Sequence, residues 1–409
     1  MPTGHVNEDR LIQTFLDLLA IDSPSRQEAA VGTEVARRLR ALGIETETDA
    51  AGNVIGRLAG AGEPLMLNAH LDHVAPCKGI HAVAKDGVIR SDGKTILGGD
   101  DTSGVAVILE LLEVLRERRA AGEETPALEV VFTVEEEVGL NGSKGLDVSR
   151  LRAREAVVLD MGGPIGGITV QGPSQTKLHA VVKGRRAHAG CAPEEGINAI
   201  RVAAEAIAAM PLGRIDHETT SNIGVIQGGE VTNVVPDRVE LWGEARSLDQ
   251  AKLDRQTDAM VGALREAAGR HGAEVNITVA VSYRAFQLPA DTPVVRRLVE
   301  ATEAQGLVPD LVSTTGGSDS NIFNERGIAA VNYSTGMAQV HTTQEYIAIA
   351  DMVASAEVMA RMLELGRDNP VLANARLPDD LDISINRDNQ CPRPEEFADF
   401  SWRHARAGM

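Results

Sequence analysis

Histidine and carboxylate residues recur in this sequence at one kind of place, the end of a short apolar run. Leu-Met-Leu-Asn-Ala leads into His70-Leu71-Asp72, Ile-Leu-Gly-Gly into Asp100-Asp101, Val-Val-Phe-Thr-Val into Glu135-Glu136-Glu137, and Ala-Val-Val-Leu into Asp160. His341, in MAQVHTTQEY, follows the apolar AAVNYSTG. Imidazole and carboxylate are the ligands of catalytic zinc, at about 2.0–2.2 Å. One carboxylate can also bridge two ions about 3.5–4 Å apart, and such a pair polarises a carbonyl and brings the pKa of a bound water towards neutrality. That is the chemistry of hydrolysis. Asp72, two residues beyond His70, points to the same side of a strand and could hold the second ring nitrogen of His70. Of the neighbours Glu136 and Glu137, one could coordinate while the other stays free as a general base, a role that a raised pKa favours.

Each piece alone has an ordinary explanation. An HxD pair is usually structural, three consecutive glutamates usually form a solvated helix face, and Asp100-Asp101 ahead of Thr102-Ser103-Gly104 could simply cap a helix. The ordered combination is far more specific than any member.

The elements that must position these residues show in the hydrophobic pattern. A helix is expected to start at the N-cap Asn7 and run through LIQTFLDLLA, and a second fits RQEAAVGTEVARRLRALG, ended by Gly43. NVIGRLA, PLMLNAHLD, LEVVFTVEE and AVVLDM read as strands, with the helical VAVILELLEVLRER between the second and third. Strands alternating with helices predict an α/β layer with a mostly parallel central sheet. In such sheets, ligand sites lie outside the carboxyl ends of the strands, where the polar residues fall. From about residue 173 the texture changes. TKLHAVVKG, INAIRVAAEAIAAM, SNIGVIQGG, DRVELWGEARS, LDRQTDAMVGALREAAGRHG and VNITVAVSY give the order β-α-β-β-α-β, a ferredoxin-like α+β pattern. The expected organisation is a discontinuous catalytic domain (1–172 and 286–367), an inserted lid domain (173–285), and an irregular C-terminal extension (368–409).

Composition narrows the function classes. The chain has 409 residues, 43% of them hydrophobic, enough for two domains with real cores. A net charge of -19 argues against nucleic acid and anionic membranes as partners. Cys77, Cys191 and Cys391 are far apart, so neither a disulfide framework nor a thiolate metal site is expected. The opening MPTGHVNEDR lacks the pattern of a secretory signal, and no run is long enough to cross a membrane, so the cytoplasm is the expected compartment.

The series AHLD, GGDDTSG, FTVEEEVG, VVLDMG, AHAG, TNVVPD, GGSDSNIFNERGI and VHTTQEYI, spanning about residues 7 to 365, resembles the M20 metallopeptidase family, and most of all its peptidase T-like branch. The resemblance implies a zinc-peptidase-like catalytic domain and a lid that also dimerises. It implies two zinc ions, or cobalt or manganese. His70 and Asp160 would complete one metal site and Glu137 and His341 the other. Asp100 would bridge both, with a cis bond to Asp101. Glu136 would take a proton from the water between the metals, and Asp72 would orient His70. His188, in GRRAHAG of the lid, would stabilise the oxyanion, and in dimeric relatives this histidine comes from the partner subunit. Asn233 and Arg246 match substrate-contacting positions, Arg246 suiting a carboxylate by its fork of donors. Gly317 and Ser318 match a loop lining the pocket.

The expected activity is removal of the N-terminal residue from short peptides, with homodimerisation through the lid. An N-acyl amino acid deacylase or carboxypeptidase using the same chemistry is the alternative. A non-catalytic metal-binding protein is a third reading, whose mark would be lost ligands, and none is missing. His73, His81, His179, His217, His271 and His404 fit no ligand slot and are expected at the surface or behind the ligands. Cys191 is expected to be a buried small residue, and Trp242, on a strand, a packing residue.

Overall fold

The computed structural model describes residues 5–365 and the strand Ser384–Ile385. Its main sheet runs, in spatial order, through Glu45–Thr48, Val54–Leu58, Pro126–Thr133, Ala61–His70, Glu155–Met161, Ala329–Ser334, Gly167–Gly172, Asp310–Ser313 and Ser384–Ile385. The middle pairings, Ala61–His70 with both its neighbours and Glu155–Met161 with Ala329–Ser334, are parallel. Antiparallel pairs flank them. Helices cover both faces, which is why the central strands read as unbroken apolar runs rather than alternating ones. One face packs on Glu8–Leu19, Gly99–Ala120, Pro293–Ala304 and Ile349–Leu365 through residues such as Phe15, Leu111, Leu298 and Met359. The other carries Phe323 and Ile328 with Leu146 and Leu151. The first helix begins where its cap predicts, with the Asn7 side chain accepting from the Arg10 N–H.

Parallel pairing brings like ends together. His70 lies opposite Thr133, and Asn68 lies between Val131 and Val158. The residues just past those ends, Asp72, Glu136, Glu137 and Asp160, therefore meet on one edge of the sheet. A small antiparallel sheet of Val83–Lys85, Val88–Arg90, Tyr346–Ala348 and Met337–Ala338, to which the hydrophobic pattern assigns nothing, closes this edge and carries the His341 loop.

The inserted segment forms its own antiparallel sheet in the order Gly213–Arg214, Thr219–Gly228, Arg238–Ser247, Ser174–Lys183, Glu274–Tyr283. Helices Ala199–Ala209 and Gln250–His271 pack on one face, over a separate core of Leu178, Val182, Val202, Leu241 and Leu264. The β-α-β-β-α-β order is the one expected. The opposite face is open, so Trp242 packs there only in part: it stacks on His179 with centroids 4.9 Å apart and stays 36% exposed. Cys191 departs from expectation. It lies on an exposed turn, while Cys77 is buried, and both are free thiols. Cys391 and His404 lie outside the described residues, as does the C-terminal extension apart from Ser384–Ile385. No helix among the described residues is long and apolar enough to cross a membrane.

Candidate metal centre

The strand ends converge on a cleft of about 160 Å³ lined by His70, Asp100, Glu136, Glu137, Asp160, Gly317, Ser318, Asn332 and His341, among others. His70 Nε2 lies 2.9 Å from Asp100 Oδ1 and 3.7 Å from Asp160 Oδ1. His341 Nε2 lies 3.1 Å from Asp100 Oδ2 and 2.9 Å from Glu137 Oε1. Asp100 thus presents one oxygen to each histidine, which is the arrangement of a bridging carboxylate. The Asp100–Asp101 bond is cis. Ligand atoms of His70, Asp100 and Glu137, and of His70, Asp101 and Asp160, fall within 4.8 Å of one another. The Asp101 oxygens are taken up by the backbone N–H groups of His70 and Gly104, so Asp101 braces the strand end while Asp100 faces the cleft.

The electrostatics of this cage call for cations. Burial, then the neighbouring Asp100, pushes the Asp160 carboxyl well above its usual range. Burial does the same to Glu136, helped by the charges of Glu137, Asp319 and Asp72. For Asp100, burial acts upward, but the hydrogen bonds from His341 and His70 outweigh it and hold the carboxyl low. Those bonds raise His341 to about 11. Without positive charge from elsewhere, protons must hold this cluster of buried carboxylates together. Glu137 Oε1 is buried and faces His341 Nε2 at 2.9 Å without a well-formed hydrogen bond. The donor set and the two-sided Asp100 fit a pair of divalent ions.

The groups behind the ligands are less as the sequence suggests. His70 Nδ1 is held at 2.9 Å by the main-chain carbonyl of Asp72, whereas the Asp72 carboxylate stands 3.6 Å away. That carboxylate instead accepts from the N–H groups of Glu136 and Glu137 at 2.8 and 3.2 Å and from Ser25 Oγ at 2.7 Å. Asp72 therefore ties the base and a ligand to the His70 strand, while its backbone sets the imidazole. Asn332, which sequence reasoning passed over, brackets the Asp160 main chain, accepting from its N–H and donating to its carbonyl. Gly317 stands where a Cβ would lie 2.2 Å from the Tyr283 ring, so only glycine lets this wall of the cleft sit against the lid. Ser318 caps the helix Asp319–Glu325 in a reciprocal capping box with Asn321. His73 is buried behind the site, with Nε2 2.9 Å from Thr102 Oγ1, and burial lowers it to about 4.

His188 and Asn233 lie together but outside this cleft. The pairing of Ala187–His188 with Val234–Val235 sets them side by side, and both are exposed. His188 Nδ1 accepts from the N–H groups of Gly190 and Cys191, each at 3.1 Å, so the neutral ring carries its proton on Nε2 and presents a donor outward. Arg246 is half-buried on the lid face that meets the cleft and is paired at 2.9 Å with Glu244.

Comparison with known proteins follows this geometry. The chain is 38% identical over 369 residues to the uncharacterised protein YqjE of Bacillus subtilis, covering 88% of this chain and 99% of that protein. Among solved structures it is similar to aminopeptidase PepT from Bacillus cereus, with 38% identity, a TM-score of 0.77, and 88% and 98% of the two chains covered. It is similar also to a tripeptidase from Staphylococcus aureus, with 34% identity, a TM-score of 0.82, and 88% and 99% covered. The chain belongs to the M20 metallopeptidase family, on its peptidase T-like branch. Within this M20 chain, residues 174–272 match the peptidase dimerisation domain and residues 96–177 match the M42 glutamyl aminopeptidase model. Residues 339–409 match a fatty acid cis/trans isomerase model; most of that stretch lies beyond residue 365, and no feature of the cleft follows from it.

Proposed function

We propose that this M20 peptidase is a two-metal aminopeptidase that removes the N-terminal residue of short peptides, tripeptides among them, with zinc as its metal and cobalt or manganese as workable substitutes. The observation that carries the reading is the two-sided Asp100, placed between His70 and His341 with Glu137 Oε1 on the far side of the His341 ring nitrogen. His70 and Asp160 would hold one ion, Glu137 and His341 the other, and Asp100 both. Bound there, the ions would polarise the scissile carbonyl and lower the pKa of a water shared between them.

The chain's own groups do the rest. Glu136, buried and pushed up in pKa, takes a proton from the attacking water and returns it to the leaving amine. Its backbone is fixed by Asp72, so the carboxylate is aimed before substrate arrives. His188 offers its Nε2–H to the developing oxyanion. Because His188 is exposed and away from the cleft of its own chain, the partner's lid in a homodimer supplies it, and the match to a peptidase dimerisation domain supports that arrangement. The free thiols Cys77 and Cys191 suit a reducing cytoplasm.

Arg246 supports a second reading. A guanidinium at the lid face is suited to the carboxylate of an N-acyl amino acid, the substrate of a deacylase, or to the C-terminus of a carboxypeptidase substrate. The test is a panel of tripeptides and N-acyl amino acids, digested with and without added Zn²⁺ or Co²⁺ and with a chelator. Metal-dependent release of the N-terminal residue is expected. Cleavage of N-acyl amino acids with no cleavage of free-amine peptides would establish the second reading instead.

A further inference from the structure

Glu345, four residues beyond His341, is buried, and among the described residues no cationic side chain pairs with it. Its carboxylate is aimed across the molecule at the loop that bears Asp100. Oε2 accepts from the N–H groups of Leu97 and Gly98 at 2.8 and 2.9 Å, and Oε1 accepts from the Asp100 N–H at 3.0 Å. The two glycines ahead of Asp100 are explained by this contact. A Cβ on Gly99 would stand 3.1 Å from Glu345 Oε1, and one on Gly98 would stand 3.0 Å from the His73 ring. The loop is therefore gripped between Glu345 and His73, with no room for side chains of its own.

The other end of the contact is equally constrained. His341 and Glu345 share the loop between strands Met337–Ala338 and Tyr346–Ala348, and His341 adopts a φ of +63°. The loop is pinned by hydrogen bonds of Thr342 with Gln339 and Gln344. It meets the Asp100 segment twice, through His341 Nε2 at Asp100 Oδ2 and through Glu345 Oε1 at the Asp100 N–H. His70 and Asp160 have a different support, since they sit on neighbouring strands of the main sheet and are held by its ladder.

We infer that Glu345 is a positioning residue for the metal site completed by His341 and Glu137, docking the His341 loop on the Asp100 loop; the other site shares Asp100 but takes His70 and Asp160 from the sheet. The inference rests on the two-metal reading, and the same experiment separates the two. Zn²⁺ is titrated into metal-stripped wild-type, Glu345→Gln and Glu345→Ala chains against a chromophoric chelator, and Co²⁺ spectra are recorded in parallel. Glu345→Gln keeps the shape but turns one accepting oxygen into a donor facing a backbone N–H. Wild type is expected to bind two ions per chain. Each variant is expected to bind one ion about 10–100-fold more weakly, the scale on which an outer hydrogen-bond partner affects metal affinity, and the other, whose His70 and Asp160 stay on the sheet, with a clearly smaller loss. Excess Zn²⁺ should restore peptide turnover in Glu345→Gln.

Leu298→Ala, in the buried core of the helix Pro293–Ala304, is the control for general destabilisation. It should lower the melting temperature and leave both metal affinities unchanged. Two affinities in Glu345→Gln equal to those of wild type, or an equal loss of both, would overturn the inference. Fewer than two ions bound by the wild type would overturn the two-metal reading itself.

Discussion

On the two-metal reading, the strand ends of the main sheet would hold the cations and the lid would supply the oxyanion donor, and these two regions are built in opposite ways. At the strand ends, His70, Asp72 and Glu136 are buried and Asp160 is half-buried, cross-braced by backbone hydrogen bonds and fixed by parallel ladders. At the lid tip, His188 and Asn233 are exposed, on a strand pair only two residues long. Groups that must hold cations in a fixed cage gain from preorganisation, because every displacement weakens several electrostatic interactions together. A group that must reach a substrate already in place gains from being mounted on a separate body. On that reading, the contrast makes the metal cage a property of one chain, while the proposed oxyanion donor His188 would come from a second chain.

That comparison can be attacked at either half. The largest effect is expected at the strand ends. Glu136→Gln should lower kcat by about 10²–10⁴-fold, the scale of lost general-base catalysis, with bound metal unchanged by elemental analysis. Retained activity would remove Glu136 from the mechanism. At the lid, His188→Ala should lower kcat by about 10²–10³-fold, as for loss of one oxyanion donor, again with metal content intact. Mixing inactive Glu136→Gln and His188→Ala chains sharpens the point. Hybrid dimers should regain activity if the partner supplies His188, and no recovery would put the histidine in its own chain's site. The smallest effect is expected at the seam between the halves. Gly317→Ala forces a methyl group against Tyr283, and overpacking of this kind costs about 1–3 kcal/mol. Thermal unfolding should show the loss, and an unchanged midpoint would mean that the seam yields freely.

Much of this was legible because the ligands are punctuation in the hydrophobic pattern. His70, Glu137 and Asp160 each follow an apolar run that forms a sheet strand, and ligand sites in such sheets lie at the carboxyl edge, whereas the run before Asp100 forms a loop into the helix Gly99–Ala120. The lid was legible through its alternating strands and amphipathic helices. What escaped depends on contacts between distant segments. Glu345 looks like any glutamate before a tyrosine, and only the docking of its hairpin turns it towards Leu97, Gly98 and Asp100. The carboxylate of Asp72 was assigned to the right neighbourhood but the wrong partner, because a strand pattern shows which side a residue faces and not which hydrogen bonds compete for it. Trp242 was placed on the right strand, yet one face of that sheet carries no helix, which strand periodicity alone does not reveal. Asn332 is one residue within the run AAVNYSTG until its side chain is seen bracketing the Asp160 main chain.

The central claim is a pair of cations caged around Asp100. Anomalous diffraction at the zinc edge, from crystals grown with Zn²⁺, tests it most directly. Two peaks about 3.5–4 Å apart are predicted, one against His70 and Asp160, the other against Glu137 and His341, with an Asp100 oxygen on each. A single peak, or zinc bound away from these residues, would contradict the account.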